Sequence, residues 1–294
     1  MYSGSRHVDL TISQALKGLR QTSSSDLQTL NYFTSLLESH KGPWPVFDLI
    51  LSCQHVWASL PEEAKSGNNV EYQQSLDNIT SKVKSTYGSL AHLLPSSENV
   101  PALLDAQNDA TLSHGAIRRF VEDFDLGLAP RSVGKPRVVV ALPNGPLLGL
   151  ACMAVSTYYT MAPMTTHCGA DQFRHDVEKV EASAILVLGS DVEKLELNSP
   201  WVSEANISVF TVQPHHDMTF SVSLLNQPLF IRQTAVANTA DDIAILLFTS
   251  GTSGDKKLVP IPTHTLVAGV AFVIDSWGLT AQDRCLNMMP LNHV

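Results

Sequence analysis

The sequence predicts an α/β fold: a mostly parallel sheet flanked by helices and preceded by a helical extension. From residue 101 onward, β-branched apolar runs alternate with helical patterns, which is typical of parallel sheets covered by helices. The earlier residues show helical periodicity alone. We therefore expect two domains, residues 1–95 and residues 96–294.

The first domain is predicted to be a set of amphipathic helices joined by serine-rich segments. In one stretch the apolar residues recur three or four positions apart: Leu27, Leu30, Phe33 and Leu37. A Gly-Pro-Trp-Pro sequence at residues 42–45 interrupts the pattern. We interpret this region as a helical packing extension of unknown role, and a partner-binding helical hairpin is the alternative.

The second domain is predicted to alternate strands with helices. The expected strands are RVVVAL, SAILVLGS, ISVFTVQP and DIAILLFTS, and the expected helices are GAIRRFVEDF, PLLGLACMAVSTYY, DQFRHDVEKVEA and THTLVAGVAFVIDSWG, the last with Thr263 as its N-cap. Ligands of parallel sheets bind beyond the carboxyl ends of the strands. The loop that follows the strand Ile243 to Phe248 is therefore the expected ligand site.

Composition and charge narrow the class of protein. A net charge of −9 over 294 residues disfavours nucleic acid and anionic membranes as partners. The four cysteines form no C-x-x-C pair, which disfavours a disulfide framework or a zinc site. The sequence shows no signal peptide and no apolar run long enough to span a bilayer. We expect a cytoplasmic protein without a membrane span and assign no metal ligand, reading His215-His216-Asp217 as a solvated loop.

One loop combines flexibility, hydroxyl groups and positive charge. In the stretch LLFTSGTSGDKKLVP, every residue from Thr249 to Gly254 is a threonine, a serine or a glycine. Glycine lets backbone N–H groups approach a ligand, consecutive N–H groups form an anion-binding concavity, and hydroxyl groups donate to phosphate oxygens. Lys257 adds positive charge, whereas Lys256 is interpreted as a solvated surface charge. The pattern favours a polyphosphate cradle over a simple turn.

The two standard nucleotide-binding loops do not match this stretch. In the Walker A pattern, Lys256 would occupy the position of the second glycine and Leu258 that of the metal-binding Ser or Thr. The Rossmann pattern G-x-G-x-x-G is also missing from the sequence.

The stretch instead resembles the phosphate-binding loop of the adenylate-forming (AMP-binding) superfamily, which includes acyl-CoA synthetases, peptide-synthetase adenylation domains and luciferases. That loop reads roughly [YF]-T-S-G-[ST]-[ST]-G-x-P-K-G-V, and this sequence departs from it at Lys256, for proline, and at Leu258, for glycine. Further segments resemble the family in the family's order: PRVVVALPNGPLLGLACMAV, YYTMAPMTTHCGADQF and DRCLNMMPLNHV. The resemblance covers residues from about 96 to 294.

The resemblance implies a ligase that activates a carboxylic acid with ATP and Mg²⁺. An acyl-adenylate forms and pyrophosphate leaves, and the acyl group then passes to coenzyme A or to a carrier-protein pantetheine. The implied ligands of the β- and γ-phosphates are Thr249, Ser250, Gly251, Thr252, Ser253, Gly254 and Lys257. His293 matches the histidine beside the acyl pocket and is the implied catalytic residue, although Asn292 replaces the usual aromatic residue.

We expect the sequence to be a truncated adenylation domain. The family segments that contact adenine, magnesium and ribose, and the small C-terminal domain, have no counterpart here, so catalysis by this chain alone is expected to be incomplete. A missing C-terminal half or a partner is expected to cover the edge near residue 294. The alternative hypothesis is a non-catalytic pseudo-enzyme or interaction protein that keeps only the phosphate-binding half. The identity of the carboxylic acid and of the acceptor stays open.

Overall fold

The computed structural model describes residues 10–21, 26–42, 44–65, 70–86, 90–95, 97–105, 109–226, 233–249 and 256–291. The chain divides into two compact units. One consists of Met1–Gly88 with His264–Cys285, and the other of Ser89–Thr263 with Leu286–Val294. The domain boundary at 95/96 remains a prediction.

The first unit begins with helices, as the periodicity predicts. They are α1 (Leu10–Arg20), α2 (Asp26–Ser39), α3 (Val46–Ser59), α4 (Glu62–Lys65) and α5 (Val70–Thr86). Leu16, Phe33 and Leu49 are completely buried among them, so the apolar faces of α1, α2 and α3 form a small core. Between α1 and α3, the Arg20 guanidinium also forms an ion pair with Asp48 at 3.0 Å.

The second unit opens with an antiparallel strand pair and a helix. The strands are β1 (Pro101–Asp105) and β2 (Ala110–Ser113), and α6 (His114–Glu122) follows directly. Ser113 caps this helix, because its side-chain oxygen accepts from the Ala116 amide at 3.2 Å.

A seven-stranded sheet forms the centre of the second unit. Its elements are β3 (Arg137–Ala141), α7 (Pro146–Tyr158), β4 (Thr160–Pro163), α8 (Ala170–Val180), β5 (Ala184–Leu188), α9 (Pro200–Glu204), β6 (Ser208–Pro214), β7 (Phe220–Leu224), β8 (Ile243–Thr249) and β9 (Lys257–Pro262). The spatial order is β7-β6-β5-β3-β4-β8-β9. Strands β6, β5, β3, β4 and β8 are parallel, and β7 and β9 pair antiparallel at the two edges. The predicted mostly parallel α/β sheet is confirmed.

Both faces of the sheet are buried, which explains why its central strands read as continuous apolar runs. Val138 and Val140 pack on one face with residues of α7, and Val139 and Ala141 pack on the other with Phe173 of α8. All four of these β3 side chains are completely buried. Alternate residues of one strand therefore belong to two different hydrophobic clusters.

The turn between β3 and α7 requires glycine. Gly145 has φ +142°, a conformation that residues with a Cβ rarely adopt, and Pro146 then begins the helix.

The last helix, α10 (Thr263–Trp277), begins one residue earlier than the sequence predicts. Thr263 was expected to precede the helix as its N-cap, but it is the first helical residue and its hydroxyl donates to the Asp242 carbonyl at 3.1 Å. Within the described part of the chain, no helix combines the length and the apolar character needed to cross a bilayer.

Candidate functional site

The glycine- and hydroxyl-rich loop connects two paired strands. In the β8–β9 hairpin, Thr249 lies directly opposite Lys257, and the loop joins these two residues. The structure thus describes the first and the last of the predicted phosphate ligands. The other five, and the predicted catalytic histidine, lie outside the described residues: Ser250, Gly251, Thr252, Ser253, Gly254 and His293.

The hairpin places Thr249 and Lys257, the residues on either side of the loop, at the carboxyl edge of the parallel sheet. Val138 of β3 pairs with Met161 of β4, and Met161 pairs with Ile245 of β8. Thr249 is four residues beyond Ile245, and it is therefore level with Leu142, four residues beyond Val138. Two strand spacings, roughly 10 Å, separate β8 from β3. The loop begins where ligands of parallel sheets bind.

The two lysines after the loop have different surroundings. Lys257 is exposed, and among the described residues its ammonium group forms no ion pair. The Lys256 Nζ lies 2.5 Å from Asp176 Oδ2 on α8 and 5.5 Å from the centre of the Phe248 ring. The prediction that Lys256 is a solvated surface charge missed this ion pair, although 41% of the Lys256 side chain is exposed. Lys257 is accessible to a ligand.

Asp176 is a buried carboxylate on α8. Its side chain is 7% exposed, and its second oxygen accepts from Gln172 Nε2 at 2.9 Å. Burial raises the pKa of the nearby Cys168 thiol, with a smaller raising contribution from Asp176 and a lowering one from Lys256. The sequence analysis missed Asp176, although its position carries a signal. It lies on the apolar face of α8 between Phe173 and Val177, where a charged residue requires a partner.

The second departure from the family loop also has a structural role. Leu258, at the position of the family's glycine, packs with Phe248 against the hydrophobic cluster that contains Phe173. Lys256 and Leu258 are both partly buried, whereas Lys257 and Val259 are exposed. This alternation indicates that Lys256 and Leu258 share one face and that Lys257 lies on the other.

A second contact at the carboxyl edge involves the segment that precedes His293. The Leu291 amide donates to Asn144 Oδ1 at 3.0 Å, and Asn144 Nδ2 donates to the Met289 carbonyl at 3.5 Å. Asn144 lies three residues beyond the end of β3, so the segment that ends at Leu291 reaches this end of the sheet. Leu286 is 82% exposed and Met289 is 69% exposed, so this segment has few other contacts.

A surface cavity of about 470 Å³ lies at the opposite edge of the sheet, beside the amino ends of β5 and β6. Its charged lining residues are all paired: Arg131 with Glu181 at 2.7 Å, and Glu178 with Arg174 at 2.8 Å. This cavity is therefore separate from the predicted loop site.

Within the described ranges, no three His, Cys, Asp or Glu side chains are grouped as metal ligands. The His215 ring instead contacts the hydroxyl groups of Thr219 and Ser221.

These features define an α/β protein whose sheet is covered by helices on both faces and whose glycine- and hydroxyl-rich sequence follows a strand at the carboxyl edge. The family model described as "AMP-binding enzyme" matches residues 95–294. The chain belongs to the AMP-binding enzyme family.

Relatives and solved structures agree with this assignment. The malonate–CoA ligase ACSF3, mitochondrial, of Xenopus laevis is 31% identical over 96 residues, which cover 33% of this chain and 16% of that protein. The oxalate–CoA ligase of Arabidopsis thaliana is 24% identical over 194 residues, which cover 65% of this chain and 38% of that protein. Apo MatB from Rhodopseudomonas palustris has the same fold with a TM-score of 0.56 at 17% identity, over 70% of this chain and 40% of that one. The chain thus spans less than half the length of each.

Proposed function

We propose that this chain supplies the phosphate-binding part of an acyl-adenylate-forming ligase. The β8–β9 hairpin carries this proposal: it sets a loop rich in glycine and hydroxyl groups at the carboxyl edge of the sheet, with Lys257 exposed beside it. The ligands of the β- and γ-phosphates of ATP are Thr249, Ser250, Gly251, Thr252, Ser253, Gly254 and Lys257.

The reaction needs positive charge and N–H donors at the leaving group. When a carboxylate attacks the α-phosphate, charge accumulates on the departing pyrophosphate, and fixed donors there stabilise the transition state. Lys257 supplies a full charge in a protein whose net charge is −9. The donor types present therefore fit the phosphate end of ATP.

The other partners follow from the family. The acid substrate binds near His293. Asn144 supports this role, because it binds the segment just before His293 through Met289 and Leu291. The acyl group then passes to coenzyme A or to a carrier-protein pantetheine. Mg²⁺ neutralises the phosphates when it is bound, with ligands beyond the described residues. Small dicarboxylates are the first acids to test, because malonate and oxalate are named for two relatives. A cytoplasmic location and a packing role for residues 1–95 complete the proposal.

Binding and exchange measurements test the proposal. Calorimetry on the purified chain measures the affinity for ATP and for pyrophosphate, with Lys257→Met as the test variant and Lys194→Met as the matched control. Lys194 is likewise an exposed lysine of the second unit, and its only described ion pair is a long one, 3.7 Å, with Asp191. Removal of one charged phosphate ligand weakens binding at least tenfold, since bonds to charged groups contribute roughly 1.5–3 kcal/mol. Equal affinities for the two variants would remove Lys257 from the site.

A second assay separates a complete catalyst from a phosphate-binding part. The chain is incubated with ATP, Mg²⁺, labelled pyrophosphate and a panel of carboxylic acids that includes malonate and oxalate. ATP–pyrophosphate exchange would show that the chain forms the adenylate unaided. Binding without exchange is the result we expect. If neither ATP nor pyrophosphate binds, the non-catalytic interaction protein becomes the better description.

A further inference from the structure

The ion pair between Lys256 and Asp176 joins two distant parts of the chain at the base of the loop. The residues are 80 positions apart, and their side chains meet at 2.5 Å. Asp176 belongs to α8, which packs on the sheet, and Lys256 is the residue immediately before β9. The pair therefore connects the C-terminal end of the loop to the body of the second unit.

The buried Asp176 carboxylate holds the Lys256 side chain in place, because it requires a charged partner. A carboxylate with 7% exposure is stable only when its oxygens are paired, and each oxygen here has one partner, Gln172 or Lys256. The Lys256 Nζ also lies 5.5 Å from the centre of the Phe248 ring. Movement of Lys256 away from this place would leave a buried charge with a single neutral donor.

This arrangement determines which lysine faces a ligand. Because adjacent side chains of a strand point to opposite faces, holding Lys256 against α8 directs Lys257 away from it. Leu258, packed on the same side as Lys256, holds the strand in the same register. One lysine is thus an anchor and its neighbour is left exposed.

We propose that Asp176 and Lys256 are positioning residues, which orient Lys257 and the end of the phosphate loop without binding phosphate themselves. The inference rests on the proposed function. In this chain the ion pair takes the place of the proline that the family loop has at position 256, and Leu258 completes the anchor.

Whether Asp176→Asn weakens or strengthens pyrophosphate binding separates an anchoring role of Lys256 from direct binding of phosphate. The full chain is titrated with pyrophosphate as wild type, Asp176→Asn, Lys256→Met, the double variant and Lys256→Arg. Glu178→Gln is the matched control, since it makes the same acid-to-amide change in an exposed ion pair on the same helix. If the pair is an anchor, Asp176→Asn and Lys256→Met each weaken pyrophosphate binding, by up to about tenfold, because the loss cannot exceed the strength of the charged hydrogen bond that held Lys257 in place. The double variant then binds pyrophosphate no more weakly than either single variant, and Lys256→Arg keeps most of the wild-type affinity.

Two results would overturn the proposal that this ion pair is an anchor. Tighter binding by Asp176→Asn would mean that Lys256 is a phosphate ligand that Asp176 restrains, and an affinity equal to that of Glu178→Gln would mean that the pair is irrelevant to the loop. If Asp176→Asn lowers the yield of folded protein, the double variant takes its place with the same expected loss, because it leaves no buried charge unpaired.

Amide hydrogen exchange tests the anchor without any nucleotide. Asp176→Asn should accelerate exchange at the start of β9 about tenfold and leave β5 unchanged, whereas Glu178→Gln should change neither. If the wild type binds no pyrophosphate, the proposed function fails, and the exchange rates alone then decide the inference. Faster exchange in β9 supports it, and rates like those of Glu178→Gln overturn it.

Discussion

Asn238 connects the segment before β8 to the end of α7, and its replacement by aspartate should destabilise the second unit in a pH-dependent way. Its side-chain Nδ2 donates to the Ser156 carbonyl at 2.9 Å and to the Tyr159 carbonyl at 3.0 Å. Its backbone N–H donates to the Thr157 carbonyl at 2.7 Å. The residue is 3% exposed, and Oδ1 has no described partner. Because β8 carries the loop site, Asn238 supports that site from the opposite end of the strand.

The magnitude follows from what each substitution removes. Asn238→Ala deletes two hydrogen bonds and leaves two carbonyl groups unpaired, for a loss of about 2–3 kcal/mol in the free energy of unfolding at any pH. Asn238→Asp keeps the shape but provides at most one donor, and only when it is protonated. An ordinary aspartate has a pKa of about 3.9, so keeping the buried carboxyl neutral at pH 7 costs up to about 4 kcal/mol. One hydrogen bond is also lost, which costs about 1 kcal/mol, so the free energy of unfolding of Asn238→Asp at pH 7 should fall by up to about 5 kcal/mol.

The sign of the pH dependence is fixed by burial. Burial and the two facing carbonyl oxygens favour the neutral acid, so the pKa of the introduced carboxyl is higher in the folded than in the unfolded state. The variant is therefore least destabilised below about pH 4 and loses stability by up to about 1.4 kcal/mol per pH unit above it. Near pH 4 its deficit should shrink to about 1–2 kcal/mol.

Urea unfolding of the three proteins between pH 4 and pH 7, followed by circular dichroism, measures these differences. Asn198→Asp is the control, because it adds the same charge at an exposed position of the same unit and should change stability by less than about 0.5 kcal/mol. A variant Asn238→Asp as stable as wild type at pH 7, or one whose deficit does not vary with pH, would refute the reasoning.

Three further predictions concern the core, the thiols and the carboxyl edge. Phe173→Ala should lower the free energy of unfolding by about 3–5 kcal/mol, because the ring is completely buried; a loss below 1 kcal/mol in urea unfolding would contradict the packing described. Iodoacetamide at pH 8 should modify Cys285, which is exposed, well before Cys152, whose pKa burial raises to about 12. Peptide mass spectrometry checks the order, and equal rates in the folded protein would be inconsistent with it. Asn144→Ala should accelerate amide exchange at Leu291 about tenfold while leaving the urea midpoint nearly unchanged, since only local hydrogen bonds are lost. Unchanged exchange at Leu291 would show that Asn144 does not hold this segment.

The strands and helices that the sequence predicts well are those with a strong apolar pattern. Strand β3 and helix α7 are buried on most sides, so their sequences leave little ambiguity. The edge strands β7 and β9 were not predicted, because both are short, about half or more of their residues are exposed, and β9 contains prolines. Period-2 patterning is weak in such strands, and only pairing with a neighbour defines them.

The loop was recognisable because its residue types are unusual together, but the contacts that support it were not. Asp176 and Lys256 are 80 residues apart, and Asn144 and Leu291 are 147 apart. Such pairs depend on the strand order and on the face that each helix covers, which one sequence does not specify. A charged residue on the apolar face of α8 shows that a partner exists, and only the folded chain identifies it as Lys256.

Strand β9 closes one side of the sheet formed by the described strands, and two of its six residues are prolines, Pro260 and Pro262. A proline in an edge strand lacks an N–H on the side that faces solvent, so an additional strand would have too few hydrogen-bond donors to pair with. Extended peptides and second copies of the sheet are thereby discouraged from docking along this border. The exposed Lys257 at the start of this strand therefore does not make the edge a site for edge-to-edge aggregation.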